Sequence, residues 1–453
     1  MEQVYTGKQL FITGAISFLG KYSAQSWLND VILPPPSQIF DRLRSEHQHD
    51  FLDFVTSKLH AVASGTTLSN FAMSDDDAKL VQQNAHVVIH SVAAVRFNEP
   101  LNVASEMNCL GATYALRFAQ SCTRVACYAH VSTAYINSNQ RNVKINEQLY
   151  SLDFDVEEAI TAISKVTPAE LERLRAKLMS TYPNTCMLTK SMAEHLRVKH
   201  AGNTLPLVIY WPTIISASWK ESVPGRVDQI AGVGAIFVAA SKGALTILPG
   251  NPQNIGDVVP VDMVVNSLLL SSYVETLEGS ANSNKPLIVH CGTSDPRQNP
   301  VRWRIPFGEI IDFYKKFPAA FPPQFSMVRS QLLFYLKWSF SYMLTLSVYT
   351  TITSVMGDVH HLEQAAWLRK FISHTHSLVE LFRPVAENEW VFQIDSMEQL
   401  EKLQAPDWWV NAGEISTNFY VGPKRYVLKE PVVDAISHDI EKKELALSTG
   451  HIL

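Results

Sequence analysis

The stretch that most constrains this chain is Gly7-Lys8-Gln9-Leu10-Phe11-Ile12-Thr13-Gly14-Ala15-Ile16-Ser17-Phe18-Leu19-Gly20. Leu10 to Ile12 is a short apolar run of the kind a fully buried parallel strand needs. Thr13-Gly14 breaks that run, and from Phe18 a helical pattern continues through Leu19, Ala24 and Trp27. A strand, a glycine turn and a helix make the first half of a dinucleotide-binding βαβ unit. Small residues in the turn let backbone N–H groups approach a pyrophosphate at the helix N-terminus, where the dipole favours an anion. The spacing reads Gly14-x-x-Ser17-x-x-Gly20. Ser17 therefore puts a Cβ and a hydroxyl where the backbone should come closest to its ligand.

Alternation of strands and helices continues to about Leu270 and predicts an α/β fold, a doubly wound parallel sheet. The second strand is the exception. Val31 to Leu33 runs into Pro34-Pro35-Pro36, which cannot donate to a central ladder, so this strand is expected to be a stub or missing. His60 to Ser64 is the candidate third strand, expected to be poorly paired, displaced or paired only with the stub at Val31 to Leu33. Asp75-Asp76-Asp77 after Ser74 reads as an acidic helix start. His86 to His90 and Tyr128 to Tyr135 read as buried strands, Leu101 to Ser121 as a helix, and Leu205 to Tyr210 as a further strand. With 453 residues the chain has room for two or three domains. The boundaries are expected at 1–316 for a nucleotide-binding domain with its substrate part, 317–356 for an apolar segment, and 357–453 for a small helical domain. Leu332 to Ile352 carries one charge, Lys337. It reads either as a near-spanning segment or as a helix pair resting on a membrane or on the core.

Charge and cysteines narrow the class. A net charge of -5 gives no support for a nucleic-acid surface. Cys109, Cys122, Cys127, Cys186 and Cys291 show neither CxxC nor zinc spacing, so free thiols in a reducing compartment and no metal are expected. The N-terminus runs straight into the first strand, so no targeting segment is expected before it. His90, His130 and His195 read as structural residues.

The second constellation is Tyr182-Pro183-Asn184-Thr185-Cys186-Met187-Leu188-Thr189-Lys190-Ser191-Met192-Ala193-Glu194. In the short-chain dehydrogenase/reductase superfamily a tyrosine four residues before a lysine shares one helix face with it. The lysine lowers the tyrosine pKa and holds the nicotinamide ribose, while a serine or threonine after an earlier strand supplies the oxyanion hydrogen bond. Here Lys190 and the Ser132-Thr133 pair are present, and Cys186 holds the tyrosine position. Together with His90…Ala93-Ala94-Val95-Arg96-Phe97-Asn98-Glu99-Pro100, Trp211-Pro212-Thr213-Ile214-Ile215, Pro260-Val261-Asp262 and Glu389-Trp390-Val391-Phe392, the chain resembles the alcohol-forming fatty acyl-CoA reductases, extended members of that superfamily.

That resemblance implies a Rossmann-type sheet, NADPH as cofactor and a long-chain acyl-CoA reduced through the aldehyde to a fatty alcohol. It further implies an intracellular, membrane-associated location at the endoplasmic reticulum or peroxisome. Residue by residue it assigns Thr13, Gly14, Ser17, Phe18, Leu19 and Gly20 to the pyrophosphate turn, and Ala93, Ala94 and Asn108 to the adenine and ribose. Pro212, Ile214 and Ile215 lie beside the nicotinamide, Ser132 or Thr133 supplies the hydroxyl, and Lys190 is the catalytic lysine, with Cys186 in place of the proton donor. Three departures, Ser17, the missing second-strand reader and Cys186, predict a weakened reductase. The alternative is a non-catalytic relative that binds acyl-CoA or a partner.

Overall fold

In the computed structural model the described residues are 5, 7–15, 41–94, 99–140, 143–179, 181–202, 204–220, 224–227, 232–282, 285–296, 300–316, 324–356 and 359–402. The apolar runs form strands, except that the one expected to reach Tyr135 ends at Val131, where the Thr133 side chain caps a 3-10 turn at Ala134–Asn137. β1 (Leu10–Thr13), β2 (Val87–His90), β3 (Cys127–Val131), β4 (Leu207–Pro212) and β5 (Leu287–Cys291) make one sheet in the order β1-β2-β3-β4-β5. Every pairing is parallel, with Leu10 opposite Val87, Val87 opposite Cys127, Tyr128 opposite Leu207 and Val208 opposite Leu287. β2, β3 and β4 are buried at every position, as a sheet covered on both faces requires.

Residues 101–121 form a helix, α1, in which Glu106–Leu110 is a π turn between Leu101–Ser105 and Gly111–Ser121. α2 (Thr185–Ala201) starts at an Asn184 cap whose Oδ1 accepts from the Met187 N–H at 2.9 Å. The acidic start at Ser74 also forms, with its hydroxyl accepting from the Asp77 N–H.

The candidate third strand does not form, in line with the poor pairing expected of it. His60 to Ser64 carries no ladder and is largely exposed. A strand needs a neighbour for its N–H and C=O groups, and among the described residues none pairs with this one. His60 Nε2 instead meets the Asp77 carboxylate at 2.9 Å, and further along the chain Phe71, fully buried, meets Phe11 at 5.8 Å and Phe118 at 5.5 Å between ring centroids. Phe71 sits at φ +56°, a left-handed conformation costing about 1–2 kcal/mol. Burying its ring returns about 1.5–3 kcal/mol. The expected stub at 31–33 lies outside the described residues.

The chain divides into two compact units that interleave in sequence, whereas the boundaries expected at 316 and 356 are contiguous. Among the described residues, one unit comprises those of Met1–Ile215, Val258–Pro296 and 390–402; the other comprises those of Ser216–Asp257 and Arg297–Glu389. In the first, Val391–Phe392 pairs parallel with Lys144–Ile145, and Trp390 packs edge-on against Tyr135 at 5.6 Å. The second contains the apolar segment as consecutive helical pieces, Gln331–Trp338, Ser339–Leu344 and Thr345–Met356, followed by Val359–Glu387. Phe334, Trp338 and Tyr342 form the inner face, with the Arg383 guanidinium 5.0 Å from the Phe334 ring centre and the Tyr342 hydroxyl accepting from Thr246 N–H at 2.8 Å. Among the described residues no helix is long and apolar enough to cross a membrane.

Candidate active site

In an open α/β sheet ligands bind beyond the carboxyl ends of the strands. β1 ends at Thr13, whose hydroxyl bonds the His90 Nδ1 at 2.9 Å and whose carbonyl accepts from the Ser91 hydroxyl at 3.1 Å. Gly14 follows at φ +77°. A Cβ there would lie 3.0 Å from the Val92 side chain and 3.1 Å from the Ser91 hydroxyl, so only glycine fits the turn. This narrow, side-chain-free turn at the edge of β1 is the observation that fits a nucleotide. Ser17, Phe18, Leu19 and Gly20 lie outside the described residues.

The loop after β2 is held by Asn108. Its Oδ1 accepts from the Ala94 N–H at 2.8 Å, and its Nδ2 donates to the Thr189 hydroxyl at 2.9 Å. Asn108 lies in the π turn of α1 and is 3% exposed. It therefore braces Ala93 and Ala94 against α2 and has both amide groups engaged. Ala94 is buried and Ala93 half-buried.

Two hydroxyls follow β3, in different surroundings. Thr133 is half-buried; its hydroxyl donates to the Pro212 carbonyl at 3.3 Å and accepts from the Tyr135 N–H at 3.4 Å. That contact ties the hydroxyl to the end of β4, next to Ile214 and Ile215, which are half-buried on a short strand paired with Val258–Pro260. The Ser132 oxygen is fully buried without a closed hydrogen bond and faces Glu194.

α2 carries the remaining groups on one face: Cys186, Lys190 and Glu194 at four-residue intervals, then Arg197. Cys186 is 6% exposed and its thiol donates to the Ala94 carbonyl at 3.4 Å. Burial pushes this thiol up and the Lys190 ammonium pulls it down. Burial lowers Lys190, opposed by the charges of Cys186 and Glu194. Glu194 is fully buried; its Oε1 accepts from the Trp211 indole N–H at 2.8 Å, while Oε2 has no hydrogen-bond partner. Burial raises Glu194 to about 8, against the nearby Ser132 hydroxyl, the Trp211 hydrogen bond and the charges of Lys190 and Arg197. Arg197 is also fully buried and donates to the Ala193 carbonyl of its own helix. The Glu194–Trp211 pair is absent from the residues expected from sequence. Its signal is the same four-residue step that links Cys186 to Lys190, continued once. Among the histidines, His195 bonds the Tyr150 carbonyl at 3.0 Å, and both ring nitrogens of His130 are buried without partners.

A glycine turn after β1, a braced small-residue loop after β2, a hydroxyl after β3 and a half-buried lysine on α2 define a nucleotide-dependent reductase of the extended short-chain type. Residues 12–268 match the family described as Male sterility protein, an NAD-binding domain, and the chain belongs to that family. It is 28% identical over 464 residues to the mouse protein named fatty acyl-CoA reductase 1, covering 95% of this chain and 86% of the relative. To a Drosophila melanogaster putative fatty acyl-CoA reductase it is 26% identical, covering 94% and 87%. The fold resembles the terminal R domain of a myxalamid biosynthetic assembly, with TM-score 0.54 and 17% identity over 93% of this chain and 92% of that one. An archaeal thiolation-reductase di-domain gives TM-score 0.54 at 15% identity, covering 96% and 78%.

Proposed function

We propose that this chain is an NADPH-dependent reductase of long-chain acyl-CoA thioesters to fatty alcohols, slowed by its own site. The carrying observation is the convergence of the Gly14 turn, the Thr133 hydroxyl and the Cys186–Lys190 face at the carboxyl edge of one parallel sheet. The names of its relatives supply the substrate class. Gly14 and the Ala93-Ala94 loop would hold the dinucleotide, and Lys190 its ribose; the bound nicotinamide supplies hydride. Thr133, tied only at 3.3 Å to a carbonyl, can turn to donate to the substrate oxygen. The proton is the weak point. Cys186 is shorter than a phenol and already donates to Ala94, so losing the general acid lowers the rate by about 10²–10⁴. The assay is alcohol formed from long-chain acyl-CoA and NADPH by wild type, Cys186→Tyr and Lys190→Ala. The reading expects low turnover, raised by the first substitution and abolished by the second. Failure of both wild type and Cys186→Tyr to bind NADPH would overturn it in favour of a non-catalytic acyl-CoA- or partner-binding relative.

We also propose a membrane surface, at the endoplasmic reticulum or peroxisome, as the working site. Opposite the buried face of residues 331–356, Leu332, Leu336, Phe340, Leu344, Val348, Ile352 and Val355 stand exposed along a helix stretch without an acidic residue. A continuous exposed apolar stripe of this kind suits the headgroup boundary, where acyl-CoA and fatty alcohol also partition. Flotation with anionic vesicles, lost in a Leu336→Asp, Phe340→Asp double variant, is the expected result; equal flotation of both proteins refutes it.

A further inference from the structure

Glu147 lies outside the site described above and joins segments that are far apart in the chain. Its Oε1 accepts from the His290 N–H of β5 at 2.9 Å, and its Oε2 accepts from the Ser396 N–H at 2.8 Å. Ser396 is in the first turn of the helix Asp395–Lys402, where N–H groups have no partner in their own helix and the dipole favours an anion. The Glu147 N–H in turn donates to Gln393 Oε1 at 3.4 Å. Burial pushes the Glu147 carboxyl up to about 7, against the two backbone N–H bonds that hold its charge. One side chain thus ties β5 and the return at 390–402 to the segment that follows Lys144–Ile145.

That return reaches both flanks of the candidate site. On one flank Trp390 and Phe392 stand edge-on to the Tyr135 ring at 5.6 and 5.4 Å, and the Trp390 indole N–H donates to the Ser138 carbonyl at 3.3 Å. Tyr135 lies in the 3-10 turn Ala134–Asn137, which Ser138 ends and which Thr133 caps by accepting from the Tyr135 N–H. On the other flank Phe392 meets the His290 ring at 5.3 Å, and the Gln393 carbonyl bonds His290 Nδ1 at 2.7 Å. His290 packs on Trp211 at 4.8 Å between ring centres, and Trp211 holds Glu194 of α2, one turn beyond Lys190. The Cys291 carbonyl accepts from the Thr213 N–H at 2.9 Å, inside the Pro212–Ile215 segment.

We propose that Glu147 is a positioning residue of the reductase reaction, a latch that seats residues 390–402 on the sheet and so fixes where the Thr133 hydroxyl stands. The inference rests on the reductase reading above, with Thr133 as the hydroxyl offered to the substrate oxygen. Glu147 itself touches no reacting group. A donor stabilises a developing oxyanion at about 2.7–3.1 Å, so a small shift of the turn that carries it costs rate. Removing the carboxylate leaves the Ser396 or His290 N–H without its acceptor. Trp390 and Phe392 then lose the anchor that presses them on Tyr135, and the cap at Thr133 loosens with them.

The test is a double-mutant cycle in the full chain, read as alcohol formed from radiolabelled palmitoyl-CoA and NADPH, a measurement sensitive enough for slow turnover. In Glu147→Gln the amide oxygen keeps one N–H bond and the amide nitrogen faces the other N–H. This variant is expected to keep the KM for palmitoyl-CoA and to lose kcat by about tenfold, the worth of one hydrogen bond to a charged group. In a Thr133→Ala chain the same substitution is expected to change kcat by less than about twofold, because the hydroxyl it positions is gone. Amide exchange at Phe392 and Ser396 is expected to quicken in Glu147→Gln and to stay unchanged in Thr133→Ala. Trp390→Phe, which keeps a ring on Tyr135 and removes the indole bond to Ser138, carries the same cycle if Glu147→Gln does not fold. An equal loss of kcat in both backgrounds, an unchanged kcat in Glu147→Gln, or unchanged exchange overturns the inference and leaves the reductase reading standing. A wild type that makes no alcohol overturns that reading and the inference with it.

Discussion

Glu194→Gln isolates the electrostatics beneath the site. The amide oxygen can keep the Trp211 indole bond that Oε1 now accepts at 2.8 Å, and the amide nitrogen faces Ser132 without a charge. What changes is titration. Burial raises the carboxyl from 4.5 to about 8. Between those values the unfolded chain has lost its proton and the folded chain keeps it, so wild-type stability falls as pH rises, by about 1.36 kcal/mol per unit, and levels off above about pH 8. The span of about 3.5 units corresponds to about 5 kcal/mol in all, or about 2.7 kcal/mol between pH 5.5 and 7.5. The glutamine chain has no such slope at this position. Glu147, which burial raises to about 7, titrates in both proteins, so it cancels in the difference. The assay is urea unfolding of both chains across pH 5 to 9, followed by tryptophan fluorescence. The expected result is a variant whose advantage grows with pH through that window and is flat above it. A difference independent of pH would refute the reasoning, because a protonated buried Glu194 could not then exist.

Gly14→Ala meets both a positive φ and contact with Val92. It should cost about 1–2 kcal/mol in thermal unfolding and abolish NADPH fluorescence changes on binding; unchanged binding would remove Gly14 from the nucleotide turn. Asn108→Ala leaves the buried Ala94 N–H without its acceptor, an expected loss of about 1–3 kcal/mol, with amide exchange fastest in the loop after β2. Phe392→Ala removes a fully buried ring that meets Tyr135 at 5.4 Å and should cost about 3–5 kcal/mol; a smaller loss would mean that the Trp390–Phe392 return is peripheral to the sheet unit.

Several features of this protein are already decided in its sequence. Leu10 to Ile12 and Val87 to Ile89 are continuous apolar stretches of the kind a parallel sheet takes, and they form parallel strands, the second buried throughout and the first half-buried. Asn184 and Ser74 cap helices with their own side chains, a local event needing no distant partner. The four-residue step from Cys186 to Lys190 places both on one face of any helix that forms there. Other features needed the tertiary structure. His60 to Ser64 has a strand's composition, yet a strand exists only through its ladder, and among the described residues no neighbour pairs with it. Ser132 and Thr133 are adjacent and chemically alike, but α2 packs over one and leaves the other at the end of β4. Glu194 reads as an ordinary helix acid until Trp211 and the sheet remove its water. Trp390 to Phe392 return to Lys144–Ile145 across more than two hundred residues. Periodicity and capping are settled within a few residues of chain, whereas burial and pairing depend on what distant segments bring alongside.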